Sequence, residues 1–274
     1  HGFSRVRCDA CGDETLVAFS CQGGVCPSCN GRRMADTAAH LVDRVLPHVR
    51  VRQYVLSLPP RLRFALARDA RLIGRVLRAL TQVVFAWARR RARALGVPDG
   101  QCGAITFVQR FDARLRLFVH LHVLIPDGVF VPSPDHAPLR FVALPAPEDA
   151  DVHALAVQLV RRTTRLLASG AAPADDEPVA DDALAFVQAE AAQAAGSRPP
   201  RRPDVPPRPR PGKRRCAQVD GFSLHAGRAV HAHDRQGLEN LCRYAARGPI
   251  AQDRLTLTSS GDALLRLKRP AGDG

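Results

Sequence analysis

The chain has 274 residues, with 40 Lys and Arg against 26 Asp and Glu, a net charge of +14. That length leaves room for one sizeable core and a small satellite module, and the lack of any apolar run of about 18 residues argues against a membrane-spanning helix. The basic balance favours a polyanionic partner, nucleic acid or an acidic membrane surface, although an Arg-, Ala- and Pro-rich composition is also what a GC-rich genome writes.

Five of the eight cysteines (Cys8, Cys11, Cys21, Cys26 and Cys29) fall in the first 29 residues. Two Cys-x-x-Cys pairs, Cys8-Asp9-Ala10-Cys11 and Cys26-Pro27-Ser28-Cys29, are poor disulfide arithmetic and good zinc arithmetic. Each turns the chain so that two thiolates approach one ion, and the pair completes a tetrahedron. The stretch from Glu14 to Phe19 between them fits a strand. Residues 1–33 therefore read as a zinc ribbon, closed by four thiolates and structural in role, with Cys21 left over as a spectator. Such cysteine usage fits a reducing cytoplasm.

Apolar spacing then gives a helix from Arg32 to Val45 and a β-rich segment from Val51 to Leu58, stopped by Pro59-Pro60. A long helical region follows from Arg61 to Leu95, with a break near Asp69. Its last turns carry Arg89, Arg90, Arg91 and Arg93, either a phosphate-contacting patch or a solvated end that suits the helix dipole.

Ala104 to Gln109 reads as a strand, and Leu115 to Ile125 as its antiparallel neighbour. The second alternates cleanly: Leu115, Leu117, Val119, Leu121, Val123 and Ile125 point one way, and Arg116, Phe118, His120, His122 and Leu124 the other. Two imidazoles two residues apart on one sheet face can hold a divalent ion, or can simply sit on a partly wet surface. In the hairpin Gln109 becomes a neighbour of that face and a candidate third ligand. Asp127-Gly128 makes a turn with Val129 to Val131 as a short return strand, and Arg140 to Leu144 is one more strand. A helix spans Pro147 to Leu167.

From 168 to 215 the composition turns to Pro, Arg and Ala, a linker or insertion without the means to build a core, with one short helix over 181–195. Order resumes at Gly221. Asp234 is suited to cap a helix from Arg235 to Ala246, and Gly248-Pro249 stops it. Tyr244 lies in its last turns between Arg243 and Arg247, guanidinium groups that suit lowering a phenol's pKa or holding a phosphate. Tyr54, the other tyrosine, reads as a packed aromatic. A final strand pair covers 255–257 and 263–267.

The segments Cys26-Pro27-Ser28-Cys29-Asn30-Gly31-Arg32-Arg33, Val55-Leu56-Ser57-Leu58-Pro59, His120-Leu121-His122 through Asp127-Gly128-Val129-Phe130, and Arg243-Tyr244-Ala245-Ala246-Arg247-Gly248-Pro249 together resemble rolling-circle insertion-sequence transposases with an N-terminal zinc-binding domain and an HUH endonuclease core. The resemblance implies an α+β fold: the zinc ribbon, then an antiparallel sheet with helices on one face, like an RRM palm. It divides the catalytic domain into residues 34–167 and 216–274, and implies a further C-terminal segment beyond Gly274. It implies that His120 and His122, with a third ligand, hold Mg²⁺ or Mn²⁺ against the scissile phosphate of single-stranded DNA at the element ends. Tyr244 would be the nucleophile, leaving a 5′-phosphotyrosine link. Where some relatives carry a second tyrosine this chain has Asn240, so single-tyrosine chemistry is implied. The setting implied is a bacterial cytoplasm, near the nucleoid. The alternative is a zinc-ribbon DNA-binding remnant in which the histidines and Tyr244 no longer cooperate. What separates the two is whether the fold brings Tyr244 to the His pair.

Overall fold

The computed structural model describes residues 3–19, 21, 26–132, 139–168 and 214–266. The expected Pro- and Arg-rich connection, with its helix at 181–195, lies almost wholly outside them.

At the N-terminus, β1 (Phe3–Arg7) and β2 (Glu14–Ala18) form an antiparallel hairpin whose turn carries Cys8 and Cys11. The helix α1 (Pro27–His40) starts directly on the second cysteine pair, with Pro27 in its first turn where a missing N–H costs nothing. A π-helical turn at Leu41–Val45 ends it. The expected boundary at residue 33 thus falls inside a continuous helix.

The centre is a five-stranded antiparallel sheet of β3 (Val51–Ser57), β4 (Ile105–Phe111), β5 (Leu117–Pro126), β8 (Cys216–Val219) and β9 (Phe222–Val230), in the order β4-β5-β3-β9-β8. Asp69 accepts from Leu72 N at 2.9 Å and splits the long helical region into α2 (Pro60–Arg68) and α3 (Ala70–Ala94). Together with α4 (Asp149–Ala168), these helices cover one sheet face. Leu56, Val119, Leu121 and Val123 meet Val76, Leu80, Val83, Leu155 and Leu159 in the main core.

The other face, which bears the histidines, has its own partial cover. α1 and α5 (Arg235–Ala246) pack there through Ala38, Leu41, Val42, Leu238, Leu241 and Cys242 against Val51, Leu124 and Val230. Fold class and antiparallel sheet agree with the sequence reading, and this second layer adds to the helices expected on the first face. It is what carries the tyrosine helix over the sheet.

Two strand expectations change. Leu115 has a positive φ of 57° in the β4–β5 turn, so the His strand begins at Leu117. The strand after Asp127 does not return along β5. β6 (Gly128–Val131) leaves the sheet and pairs with β7 (Arg140–Ala143). A Cβ at Gly128 would run into the Phe141 ring and the Val142 carbonyl, so this close crossing needs glycine. The described residues close with β10 (Leu255–Leu257) and β11 (Ala263–Leu265), a hairpin of their own.

Candidate active site and zinc knuckle

β5 places His120 and His122 on the face under α5, one residue pair apart, with ring centroids 5.0 Å from each other. Register sets their neighbours: Gln109 lies opposite His120 and Phe107 opposite His122 on β4, while Ser57 and Val55 flank them on β3.

The hydrogen bonds fix the ring nitrogens. His120 Nδ1 is 2.7 Å from the Phe118 carbonyl, which can only accept, so Nδ1 carries the hydrogen and Nε2 keeps its lone pair. His122 Nδ1 is 2.8 Å from the side-chain amide of Gln53, and His122 Nε2 is buried with no hydrogen-bond partner among the described residues. A half-turn of the Gln53 amide puts its oxygen on Nδ1 and gives His122 the same tautomer as His120. Burial holds both imidazoles neutral. It pushes His122 down to about 3, helped by His120 and then by the Arg247 charge, and it lowers His120 although the Phe118 carbonyl opposes it. Two neutral nitrogens facing one side, one of them an orphan, suit a divalent cation.

These shifts have a consequence for stability. Between the ordinary histidine value near 6.5 and about 3, the unfolded chain takes up a proton that folded His122 refuses. Stability is therefore fully present above about pH 6.5 and falls with acidification toward pH 3. Denaturant unfolding of metal-free protein is expected to lose stability from pH 7.5 to 5 more steeply than His122→Gln does. Parallel profiles would refute this.

Tyr244 completes the constellation. Asp234 accepts from Gly237 N at 2.7 Å and starts α5, and the stripe Leu238, Leu241, Cys242 and Ala245 is buried. Tyr244 itself is 41% exposed. Its ring meets that of His122 edge-on, with centroids 5.7 Å apart. Arg247 lies over the same ring with Cζ at 4.4 Å, and Arg228 of β9 at 5.9 Å. Of the two arginines flanking Tyr244 in sequence, Arg243 is spent on an i, i+4 pair with Glu239 at 2.7 Å, and Arg247 belongs to the site. At the opposite edge Arg63 covers the Phe118 ring, which is 5.2 Å from His120. Guanidinium groups thus bracket a row of rings from Phe118 to Tyr244.

Gln109 stands beside His120 as expected, but its side chain is engaged elsewhere. Its Nε2 donates to the carbonyls of Tyr244 at 3.0 Å and Ala245 at 2.9 Å, and its Oε1 is 3.5 Å from Arg247 Nε. It therefore ties the end of the tyrosine helix to the His strand. Among the described residues no carboxylate or thiol joins the two imidazoles. Sequence reading also passed over Gln53, a polar residue in a buried strand, which was the available signal. Arg228 carried none, because only the β3–β9 pairing brings it in.

In the N-terminal module Cys21, set aside as a spectator, clusters with Cys26 and Cys29, all three sulfurs lying within 4.8 Å of one another. Cys21 Sγ and Cys29 Sγ are 3.4 Å apart, near the ~3.8 Å that a tetrahedral ion with ~2.3 Å Zn–S bonds requires. Three soft thiols in that arrangement fit zinc. Cys8 and Cys11 form a separate knuckle outside the cluster. There, hydrogen bonds from the Cys11 and Ala10 amides and the Cys11 thiol draw the Cys8 pKa below its usual value.

Residues 103–274 match the family model described as "Putative transposase", and residues 1–58 match the one described as "Transposase zinc-binding domain", of the IS91 type. The chain belongs to this transposase family. No curated protein and no solved structure matches it. The two matched spans meet in the structure, since the zinc-binding segment ends with β3, whose Gln53 supports His122. A transposase acts on DNA, and no described helix of this one is long and apolar enough to cross a membrane.

Proposed function

We propose that the transposase nicks and transfers single-stranded DNA, with Tyr244 as nucleophile and with His120 and His122 holding Mg²⁺ or Mn²⁺, as in rolling-circle transposition. The observation that carries this reading is the edge-on contact of Tyr244 with His122, whose Nε2 is buried and unpartnered. A bound divalent ion supplies Lewis acidity toward a phosphate oxygen. The chain's own residues do the rest. Gln109 fixes the carbonyl of Tyr244, which holds the phenol at the sheet. Arg247, Arg228 and Arg63 offer cationic partners to the DNA backbone on either side. Tyr244 Oη attacks phosphorus and loses its proton, the P–O3′ bond breaks, and O3′ takes up a proton. The resulting phosphotyrosine keeps the bond energy for rejoining when another 3′-hydroxyl attacks.

The zinc knuckle is structural in this reading, built on Cys26 and Cys29, with Cys21 joining them and the Cys8–Cys11 turn available to complete the set. The test is a 3′-labelled single strand from an element end, incubated with the protein and Mn²⁺ and run on a denaturing gel, since the 5′-phosphotyrosine link retains the fragment downstream of the nick. A protein-linked band that vanishes with chelator is expected. Retarded DNA on a native gel with no covalent band would favour a DNA-binding remnant instead.

Gln109 is a positioning residue on this view, not a metal ligand. Gln109→Leu is expected to leave Mn²⁺ affinity within about twofold and to lower adduct formation on the order of 10- to 100-fold, because a small displacement of the nucleophile is costly. Loss of Mn²⁺ binding, read by titration of free Mn²⁺, would return Gln109 to the ligand set.

A further inference from the structure

α1 and α5 lie side by side and are fastened at both ends. At one end Arg235, the first residue of α5, donates to the carbonyls of Val42, Leu46 and Pro47 where α1 gives out. Between the ends Ala38, Leu41 and Val42 pack on Leu238, Leu241 and Cys242. At the other end Asn30, in the first turn of α1, sits against Gly248, just past the end of α5. A Cβ built on Gly248 would lie 2.9 Å from Asn30 Cβ, Cγ and Nδ2. Asn30 Cβ is not the free end of a flexible side chain, so any residue but glycine at 248 would have to push the two segments apart.

This contact joins two centres. Asn30 follows Cys29 directly, and its amide donates to the Cys26 carbonyl at 2.9 Å. Gly248 follows Arg247, which lies over the Tyr244 ring and reaches Gln109. Asn30 is 8% exposed, whereas residues 4–14 of the N-terminal hairpin are exposed. The thiol cluster thus stands on the turn of α1 that abuts the end of the tyrosine helix.

We propose that Asn30 is a positioning residue for Tyr244: seated in the space left by Gly248, it lets the cysteine-bound zinc set the place of the tyrosine over the histidines. The metal would then do more than fold its own module. It would fix the α1 first turn, and through Asn30 the Arg247–Gly248 segment. Loss of zinc would loosen the last turn of α5 without touching the sheet. The proposal rests on the nucleophile reading of Tyr244 for its catalytic meaning, but its physical content can be measured without DNA.

The experiment uses the full chain with zinc bound and reads amide hydrogen exchange by mass spectrometry. Peptides over 238–249 report on α5 and peptides over 51–57 serve as the internal reference. Zinc content is measured on the same samples. Stripping zinc with chelator, or Cys29→Ser, is expected to speed exchange over 241–248 by tenfold or more with β3 unchanged. Gly248→Ala is expected to do the same with zinc still bound, and so is Asn30→Gly alone, which empties the seat beside Gly248. Nitration of Tyr244, the only exposed tyrosine of the two, should quicken in parallel.

Unchanged exchange in α5 after zinc is removed would overturn the proposal. So would a uniform rise that includes β3, since zinc would then hold the fold at large, and so would Gly248→Ala with wild-type exchange. If α5 responds to zinc but the wild-type chain makes no DNA adduct, the nicking reading fails and the coupling stands. An adduct whose formation ignores zinc, with α5 exchange also indifferent, removes the coupling and leaves the nicking reading in place.

Discussion

Tyr244→Phe is expected to abolish the covalent DNA adduct, a loss of about 10³-fold or more, while leaving the fold and DNA retention intact. The hydroxyl is the only group removed, and the ring contacts with His122 and Arg247 survive in phenylalanine. No second phenol can take over. Four residues earlier on α5 stands Asn240, and Tyr54 is only 2% exposed, on the sheet face packed by α3 and α4. Burial, then the nearby Asp127 charge, push the Tyr54 phenol well above its ordinary pKa and keep it protonated. The measurement is the denaturing gel described above, with circular dichroism and a native gel on the same preparation. A residual adduct above a few per cent of wild type would mean that another side chain is the nucleophile, and sequencing the DNA-linked peptide would identify it.

The second large effect is on stability. Arg52→Met and Asp127→Asn are each expected to cost about 3–5 kcal/mol, because each leaves the other member of a buried ion pair uncompensated. Arg52 is 0% exposed, and every arm of its guanidinium is used. Nε and Nη2 donate to the two oxygens of Asp127 at 2.8 and 2.7 Å, and Nη1 donates to the Ala226 carbonyl at 2.7 Å. Arg50 adds a partly exposed contact to the same carboxylate at 3.2 Å. The bidentate fork binds β3 to the corner where β5 hands over to β6, and its third arm binds β3 to β9. Lysine keeps the charge but cannot reproduce that fork, so Arg52→Lys should fall between wild type and Arg52→Met. By contrast, removing the exposed Arg243–Glu239 pair should cost under about 0.5 kcal/mol. Denaturant midpoints compare all four, and a loss below about 1 kcal/mol for Arg52→Met would show that the pair is not the tie it resembles.

The Asp127-Gly128 pair shows how a motif can be read correctly and understood incompletely. As a dipeptide it signals a turn, and the chain does turn there. The carboxylate, however, is held by an arginine 75 residues earlier, and the glycine is there because β7 crosses above it. Neither partner is local, so neither leaves a pattern in the window around residue 127.

Much of the protein was settled by the sequence itself, wherever the cause is local. The period of two along β5 put His120 and His122 on one side, and that side cannot change without turning the core residues out to water. The end of α5 at Gly248-Pro249 and its start at Asp234 follow from capping chemistry, and they place Tyr244 in the last turns. The split at Asp69 follows from its side chain. Cysteine spacing announced a zinc module, and the combined motifs announced a transposase.

What the tertiary structure alone decided is which of these pieces meet. That Tyr244 lies on His122, that Gln109 grips the tyrosine helix, that Arg247 faces the ring while Arg243 pairs with Glu239, and that Cys21 joins Cys26 and Cys29 are all contacts across long or irregular stretches of chain. They depend on α5 being laid over the histidine face by α1, a packing of two apolar stripes 200 residues apart in origin. Periodicity tells which face of a helix is buried, but the partner it is buried against is chosen by the summed fit of the whole core, and no single segment carries that information.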